Sequence, residues 1–211
     1  MSRSTKSVSI LVADDHPVVR EGLALIFERT DGFDCVGQVG CVEDAIEAWA
    51  DLKPDVGVFD LRMPDGDAVG AITRIRKTDP NARILVVSSF DGEEEVYRVM
   101  KAGARGYLLK DTEPRLIVDA IRAIHNGQRH LPSVLANKLA ERITTSDLSP
   151  RETEILTLAS KGNSNAAIAR NLGVSESTVK FHLNNTYSKL DVSSRTAAIS
   201  IAVKRGIIVL D

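Results

Sequence analysis

Val56-Gly57-Val58-Phe59-Asp60-Leu61-Arg62-Met63-Pro64 decides how the rest of the chain is read. It opens as a short apolar run of strand length and ends on a carboxylate. Pro64 has no N–H to donate, so the strand cannot continue through it. Asp60 therefore sits at the carboxyl end of a buried strand, where the chain leaves the sheet. Taken alone, such an aspartate is a turn or cap residue. Its company changes that reading. Val8 to Ala13 is a second apolar run ending in carboxylates, Asp14 and Asp15, and two later runs end in Ser88 and Lys110.

Working outward, the segments 7–13, 33–39, 56–60, 83–88 and 106–109 read as strands, and 42–52, 68–78, 93–102 and 114–125 as helices. Pro17 opens one further helix, with Asp15 placed to cap it. Strands alternating with helices imply a parallel sheet covered on both faces. In such sheets ligands bind outside the carboxyl ends of the strands, where the strand order switches. For five strands in the order 2-1-3-4-5, the first and third flank that switch. Asp14, Asp15 and Asp60 then converge in one crevice. Three carboxylates together repel unless something positive sits among them, and a hard divalent ion with oxygen ligands, Mg²⁺ above all, is the natural partner. Lys110 adds a second positive group.

The remaining residues describe a second, smaller unit. After Asn126-Gly127, residues 133–143 have the apolar spacing of a short helix, and Thr144 to Asp147 read as a flexible joint. Ser149-Pro150-Arg151-Glu152 is a capping box with proline in the first turn. Ser164 caps a short helix, Gly173 makes a turn, and Ser175 caps a longer helix to about Leu190. That outline is helix-turn-helix. In the longer helix Val179, Leu183, Thr186 and Leu190 make a core stripe. Ser177, Phe181, Asn184 and Ser188 fall on the opposite side, flanked by Lys180 and Asn185. An outward Phe among amides and a lysine suits a DNA major groove, where Asn pairs with adenine and Lys reaches guanine or phosphate.

Composition sets limits. The 211 residues carry 27 Lys+Arg and 29 Asp+Glu, for a net charge of −2. Acidic residues lead before residue 147 and basic ones after it, consistent with a polyanion partner for the second unit. Two cysteines, Cys35 and Cys41, lack metal-ligand spacing and read as small apolar residues in a reducing compartment. His16, His125 and His130 have no ligand partners in sequence, although His16 lies beside the carboxylates. The first residues carry no apolar signal core, and no apolar run approaches the ~20 residues of a membrane span. A cytoplasmic protein is expected.

Ala13-Asp14-Asp15-His16-Pro17, Asp60-Leu61-Arg62-Met63-Pro64, Ser88 and Tyr107-Leu108-Leu109-Lys110 resemble the receiver domain of bacterial two-component response regulators. Leu148-Ser-Pro-Arg-Glu152, Asn165-Ala-Ala-Ile-Ala169, Val179-Lys-Phe-His-Leu183 and Lys189-Leu-Asp-Val-Ser-Ser-Arg-Thr196 resemble the LuxR-type DNA-binding domain. Together they look like a response regulator of the NarL/FixJ type. The resemblance implies an α/β receiver of flavodoxin-like topology over 1–126, a linker over 127–147, and an all-α, four-helix DNA-binding domain over 148–211. It implies that Asp60 accepts a phosphoryl group from a histidine kinase. Asp14, Asp15, Asp60 and the backbone carbonyl of Arg62 would hold Mg²⁺. Ser88 and Lys110 would contact the phosphoryl group, with Tyr107 as an aromatic switch.

On the same grounds Lys180, Phe181, Asn184, Asn185, Ser177 and Thr178 would meet double-stranded DNA at inverted half-sites. The active form would be a homodimer built partly on Ile199, Ala202 and Val203 of the C-terminal helix, and RNA polymerase would be a further partner. Two other readings are an aspartate-nucleophile phosphatase and a DNA-binding regulator whose receiver only docks proteins. The phosphatase needs a carboxylate two residues after the nucleophile, where Arg62 stands. The docking-only reading leaves the intact carboxylates and Lys110 without a use.

Overall fold

The computed structural model describes residues 7–144 and 148–208; of the joint expected over Thr144 to Asp147, Thr144 instead ends a helix and residues 145–147 lie outside the described ones. The elements run β1 (Val8–Ala13), α1 (Pro17–Glu28), β2 (Phe33–Val39), α2 (Val42–Leu52), β3 (Val56–Asp60), β4 (Arg62–Met63), β5 (Gly66–Asp67) and α3 (Ala68–Thr78). They continue as β6 (Ile84–Ser88), α4 (Glu93–Ala102), β7 (Gly106–Leu109), α5 (Pro114–His125), α6 (Ser133–Thr144), α7 (Pro150–Ser160), α8 (Asn165–Leu172), α9 (Glu176–Lys189) and α10 (Arg195–Lys204). The chain divides into two compact units, Met1–Leu139 and Ala140–Asp211.

The first unit holds a five-stranded parallel sheet in the order β2-β1-β3-β6-β7. Its central strands β3 and β6 are buried along their whole length, as a sheet covered on both faces requires. One face packs Leu11, Phe59 and Tyr107 against α2, α3 and α4; the other packs Ile10, Val58 and Leu108 against α1 and α5. Each large apolar side chain buried this way contributes about 1.5–3 kcal/mol.

The strands and helices fall where the apolar runs place them, and two features go beyond that pattern. Residues 62–67 form a small antiparallel hairpin, β4–β5, around Pro64-Asp65. Asp65 then caps α2 from outside it, accepting the N–H of Val42 at 2.7 Å and of Glu43 at 3.0 Å. Its position is filled this way because Cys41, at the cap of α2, makes no side-chain cap. The expected cap of α1 by Asp15 is not formed: the cap position is His16, with no side-chain cap, and Pro17 alone starts the helix. Cys35 and Cys41 are free and half-buried.

The second unit is the four-helix arrangement α7–α10. Its two apolar clusters gather Ile155, Ile168, Val179 and Leu183, and Leu156, Leu190, Ala198 and Ala202. The capping box at Ser149 and Glu152 is complete. Gly173 adopts φ 65°, a left-handed conformation that glycine takes without a Cβ penalty, and so turns the chain sharply from α8 into α9. Ala202 corrects an expectation. It is fully buried in the unit's own core, so it has no surface to offer a second copy, whereas Ile199 and Val203 are partly exposed at the rim of that cluster.

Candidate functional site

The topology brings Asp14 and Asp15 from the end of β1, Asp60 from the end of β3, Ser88 from the end of β6 and Lys110 from just after β7 to one edge of the sheet. Asp14, Asp60 and Ser88 are buried. Lys110 Nζ lies 2.7 Å from Asp60 Oδ2 and 2.8 Å from Asp14 Oδ2. Asp14 Oδ1 also accepts the backbone N–H of His16 at 2.8 Å. One ligand atom from each of Asp14, Asp15, His16 and Asp60 lies within 4.8 Å of the others. His16 thus joins the group through Nδ1, 2.6 Å from Asp15 Oδ1, although no spacing in the chain marked it as a ligand.

The electrostatics follow from this crowding. Burial pushes the Asp60 carboxyl above its ordinary value, and the neighbouring Asp14 charge adds to the rise, while the hydrogen bond from Lys110 opposes it. Burial alone would lower Lys110, but its hydrogen bonds to Asp14 and Asp60 raise it, so it stays cationic. One lysine does not balance three carboxylates. Asp15 Oδ1 is a buried atom whose near neighbour is His16 Nδ1, at 2.6 Å, and which no hydrogen bond satisfies. An orphaned oxygen in an oxygen-rich, net-negative crevice fits a hard divalent cation.

The loop after β6 is tied to this edge from several directions. The Phe90 N–H donates to Ser88 Oγ at 3.1 Å, and the Tyr107 hydroxyl donates to the Phe90 carbonyl at 2.6 Å. Tyr107 is fully buried, and burial pushes its hydroxyl up to about 12, so it acts as a neutral donor. The Arg62 guanidinium lies over the exposed Phe90 ring, 5.7 Å from its centroid. Phe90 is a functional neighbour that sequence reasoning missed, because an apolar residue after a strand usually marks core. Pro64 was read only as the end of the Asp60 strand, which signalled neither the hairpin after it nor the capping of α2 by Asp65.

In the second unit, α9 presents two faces. Val179, Leu183 and Thr186 are buried, while Lys180, Phe181, Asn184 and Ser177 are exposed and Thr178 and Asn185 half-buried. Phe181 is 60% exposed and meets His182 edge-on at 5.5 Å. Lys180 Nζ sits 3.3 Å from Glu176. Ser175 Oγ lies 2.7 Å from the Ser177 hydroxyl and 2.8 Å from that of Thr178, at the start of the helix. Behind this face the Lys189–Glu152 pair, at 2.8 Å, joins α9 to α7. Arg195 donates to the Ala159 and Asn163 carbonyls, fixing the turn before α8.

Residues 10–122 match the family of response regulator receiver domains, and residues 146–202 match the luxR family of bacterial regulatory proteins. The chain belongs to the two-component response regulators of the LuxR type. This response regulator is 37% identical over 206 residues to the uncharacterized transcriptional regulatory protein YhcZ of Bacillus subtilis, covering 93% of this chain and 96% of that one. It is 37% identical over 207 residues to the response regulator protein VraR of Staphylococcus aureus, covering 96% and 99%. Among solved structures it resembles RcsB of Salmonella enterica serovar Typhimurium bound to promoter DNA with the phosphomimetic BeF₃⁻. That match has a TM-score of 0.70, at 26% identity over 92% of this chain and 97% of that one. A receiver domain implies a kinase partner and a LuxR-type domain implies DNA binding, and the response regulators of this family are transcriptional regulators. No helix among the described residues is long and apolar enough to cross a membrane.

Proposed function

We propose that Asp60 is the phosphoacceptor of this response regulator and that its phosphorylation by a sensor histidine kinase controls DNA binding. The observation that carries the reading is the convergence of Asp14, Asp15 and Asp60 with Lys110 at the carboxyl edge of the sheet. In the transfer a carboxylate oxygen of Asp60 forms the new bond to phosphorus as the bond from phosphorus to the donor's imidazole nitrogen breaks. Asp14, Asp15, Asp60 and the backbone carbonyl of Arg62 would hold Mg²⁺, which when bound neutralises charge on the transferring group. Lys110 stabilises the phosphoryl oxygens from the other side, and Ser88 turns its hydroxyl to them. Tyr107 then adjusts through the loop at Phe90.

The receiver is assigned to 1–126, the linker to 127–147 and the DNA-binding domain to 148–211. Lys180, Phe181 and Asn184, with Asn185, Ser177 and Thr178 beside them, form the DNA face. The phosphorylated form is a homodimer on inverted half-sites, using Ile199 and Val203, and it works with RNA polymerase in the cytoplasm. The chain is not an enzyme acting on a small substrate. Arg62 stands where a phosphatase of this kind needs its acid, and its guanidinium is engaged over Phe90.

Labelling by acetyl phosphate tests the assignment. The parent should take up one phosphoryl group when Mg²⁺ is present and none when it is chelated. Asp60→Asn should take up none while keeping the parent's circular dichroism. Labelling retained in that variant would place the acceptor elsewhere.

A further inference from the structure

The first compact unit does not end with α5. Residues after Asn126 return to the open edge of the sheet, where His130 pairs with Gly106 in a parallel bridge. The His130 N–H donates to the Arg105 carbonyl at 2.9 Å, and the Tyr107 N–H donates to the His130 carbonyl at 3.2 Å. Gly106 permits this approach, because a Cβ there would stand 2.7 Å from the His130 carbonyl oxygen. From this anchor α6 lays Leu135, 2% exposed, into the cluster that contains Val96, Val99 and Tyr107, with Leu131 and Leu139 beside it. Lys138 then reaches back to the loop after β6, donating to the Asp91 carbonyl at 2.8 Å and to its carboxylate.

Asp91 adjoins Phe90, whose N–H is held by Ser88 and whose carbonyl is held by Tyr107. The linker therefore grips the switch region at two points: the backbone of Tyr107 and the loop one residue beyond Phe90. We propose that Lys138–Asp91 is a latch that holds α6 against the resting receiver and opens when Asp60 is phosphorylated. This rests on the phosphoacceptor reading of Asp60.

The physical reasoning is as follows. A phosphoryl group on Asp60 offers the Ser88 O–H a charged acceptor, and rotating the side chain to donate to it carries Oγ away from the Phe90 N–H that it now accepts. When Ser88 turns, Phe90 loses one of its two anchors and Asp91 moves with it. Lys138 is bonded to both a backbone and a side-chain oxygen of Asp91, so it cannot follow a displaced loop with both bonds intact. The ion pair is partly solvated, and such pairs are individually weak. Weakness suits the role: the apolar grip of Leu131, Leu135 and Leu139 supplies adhesion, while the latch tips a near-balanced equilibrium. The helix that carries Lys138 crosses the boundary between the two units, which falls after Leu139.

Hydrogen–deuterium exchange on the full chain tests this, with phosphoryl uptake from acetyl phosphate and Mg²⁺ followed in parallel by intact mass. In the parent, phosphorylation should speed exchange of the amides of 131–140 several-fold, while β3 stays protected. Lys138→Ala should show that faster exchange before any phosphorylation, with unchanged phosphoryl uptake. The exchanged pair Asp91→Lys with Lys138→Asp should return resting exchange to the parent's level. A mass increment with no change in 131–140 overturns the latch, as does a Lys138→Ala chain that exchanges like the parent at rest. A parent that gains no mass overturns the reading of Asp60 and the trigger with it.

Discussion

Lys110 Nζ stands between two carboxylates, 2.7 Å from Asp60 and 2.8 Å from Asp14, and under the proposed function it stabilises both the resting acceptor and its modified form. Removing it leaves Asp60 and Asp14 facing each other in a buried crevice. Lys110→Ala should slow uptake from acetyl phosphate by on the order of 10²-fold at saturating Mg²⁺, the scale for losing one preorganised charge-stabilising group. Initial rates from intact mass measure this; parental rates would remove Lys110 from the transfer.

Lys180 and Asn184 share the exposed face of α9 with Phe181. Alanine at either position should weaken specific DNA binding by ~1–3 kcal/mol, the cost of one good base contact. On the proposed DNA face, Lys180 exchanges its contact with Glu176 for one to DNA. Glu176→Gln should therefore tighten binding modestly, most visibly at low salt. Titrations at two ionic strengths decide this, and parental affinity in both alanine variants would move the DNA to another surface.

Ile199 and Val203 lie one helical turn apart at the rim of the second unit's core. Changing both to Glu should leave a folded chain that still takes up phosphoryl but fails to dimerise on it. Sedimentation velocity before and after phosphorylation reads this out. Dimerisation at the parent's level would put the contact on the receiver.

Glu152 gives the second unit an acid-sensitive joint. Burial alone would raise its carboxyl, but the hydrogen bond from Lys189 and those at Ser149 hold it below the ordinary value of 4.5. A depressed folded-state value means the stabilisation is present above the unfolded value and is lost as pH falls through the folded one. Glu152→Gln should cost about 1.5–3 kcal/mol near neutrality, the scale of a hydrogen bond to a charged group. The gap between variant and parent should narrow as pH drops below 4.5. Urea melts of the DNA-binding unit's helices at pH 7 and in acid check it; a gap constant with pH would mean that the charge plays no part.

The apolar runs determined the strands and helices of the first unit, because a strand buried on both faces has to be continuously apolar and its ends have to be punctuated. That is why Asp14, Asp15, Asp60, Ser88 and Lys110 were legible as one edge: each ends a run, and parallel strands put their ends together. The face of α9 was legible for a similar reason, since helical periodicity separates Val179 and Leu183 from Phe181 and Asn184. Partnerships between distant segments carry no such period. The capping of α2 by Asp65, the guanidinium of Arg62 over Phe90, and Lys138 on Asp91 depend on how loops meet after the sheet has closed. Ala202 shows the limit most directly. An apolar position on a helix apolar nearly all round can face the core or a second copy, and only the packing of Leu156, Leu190 and Ile208 around it decided for the core.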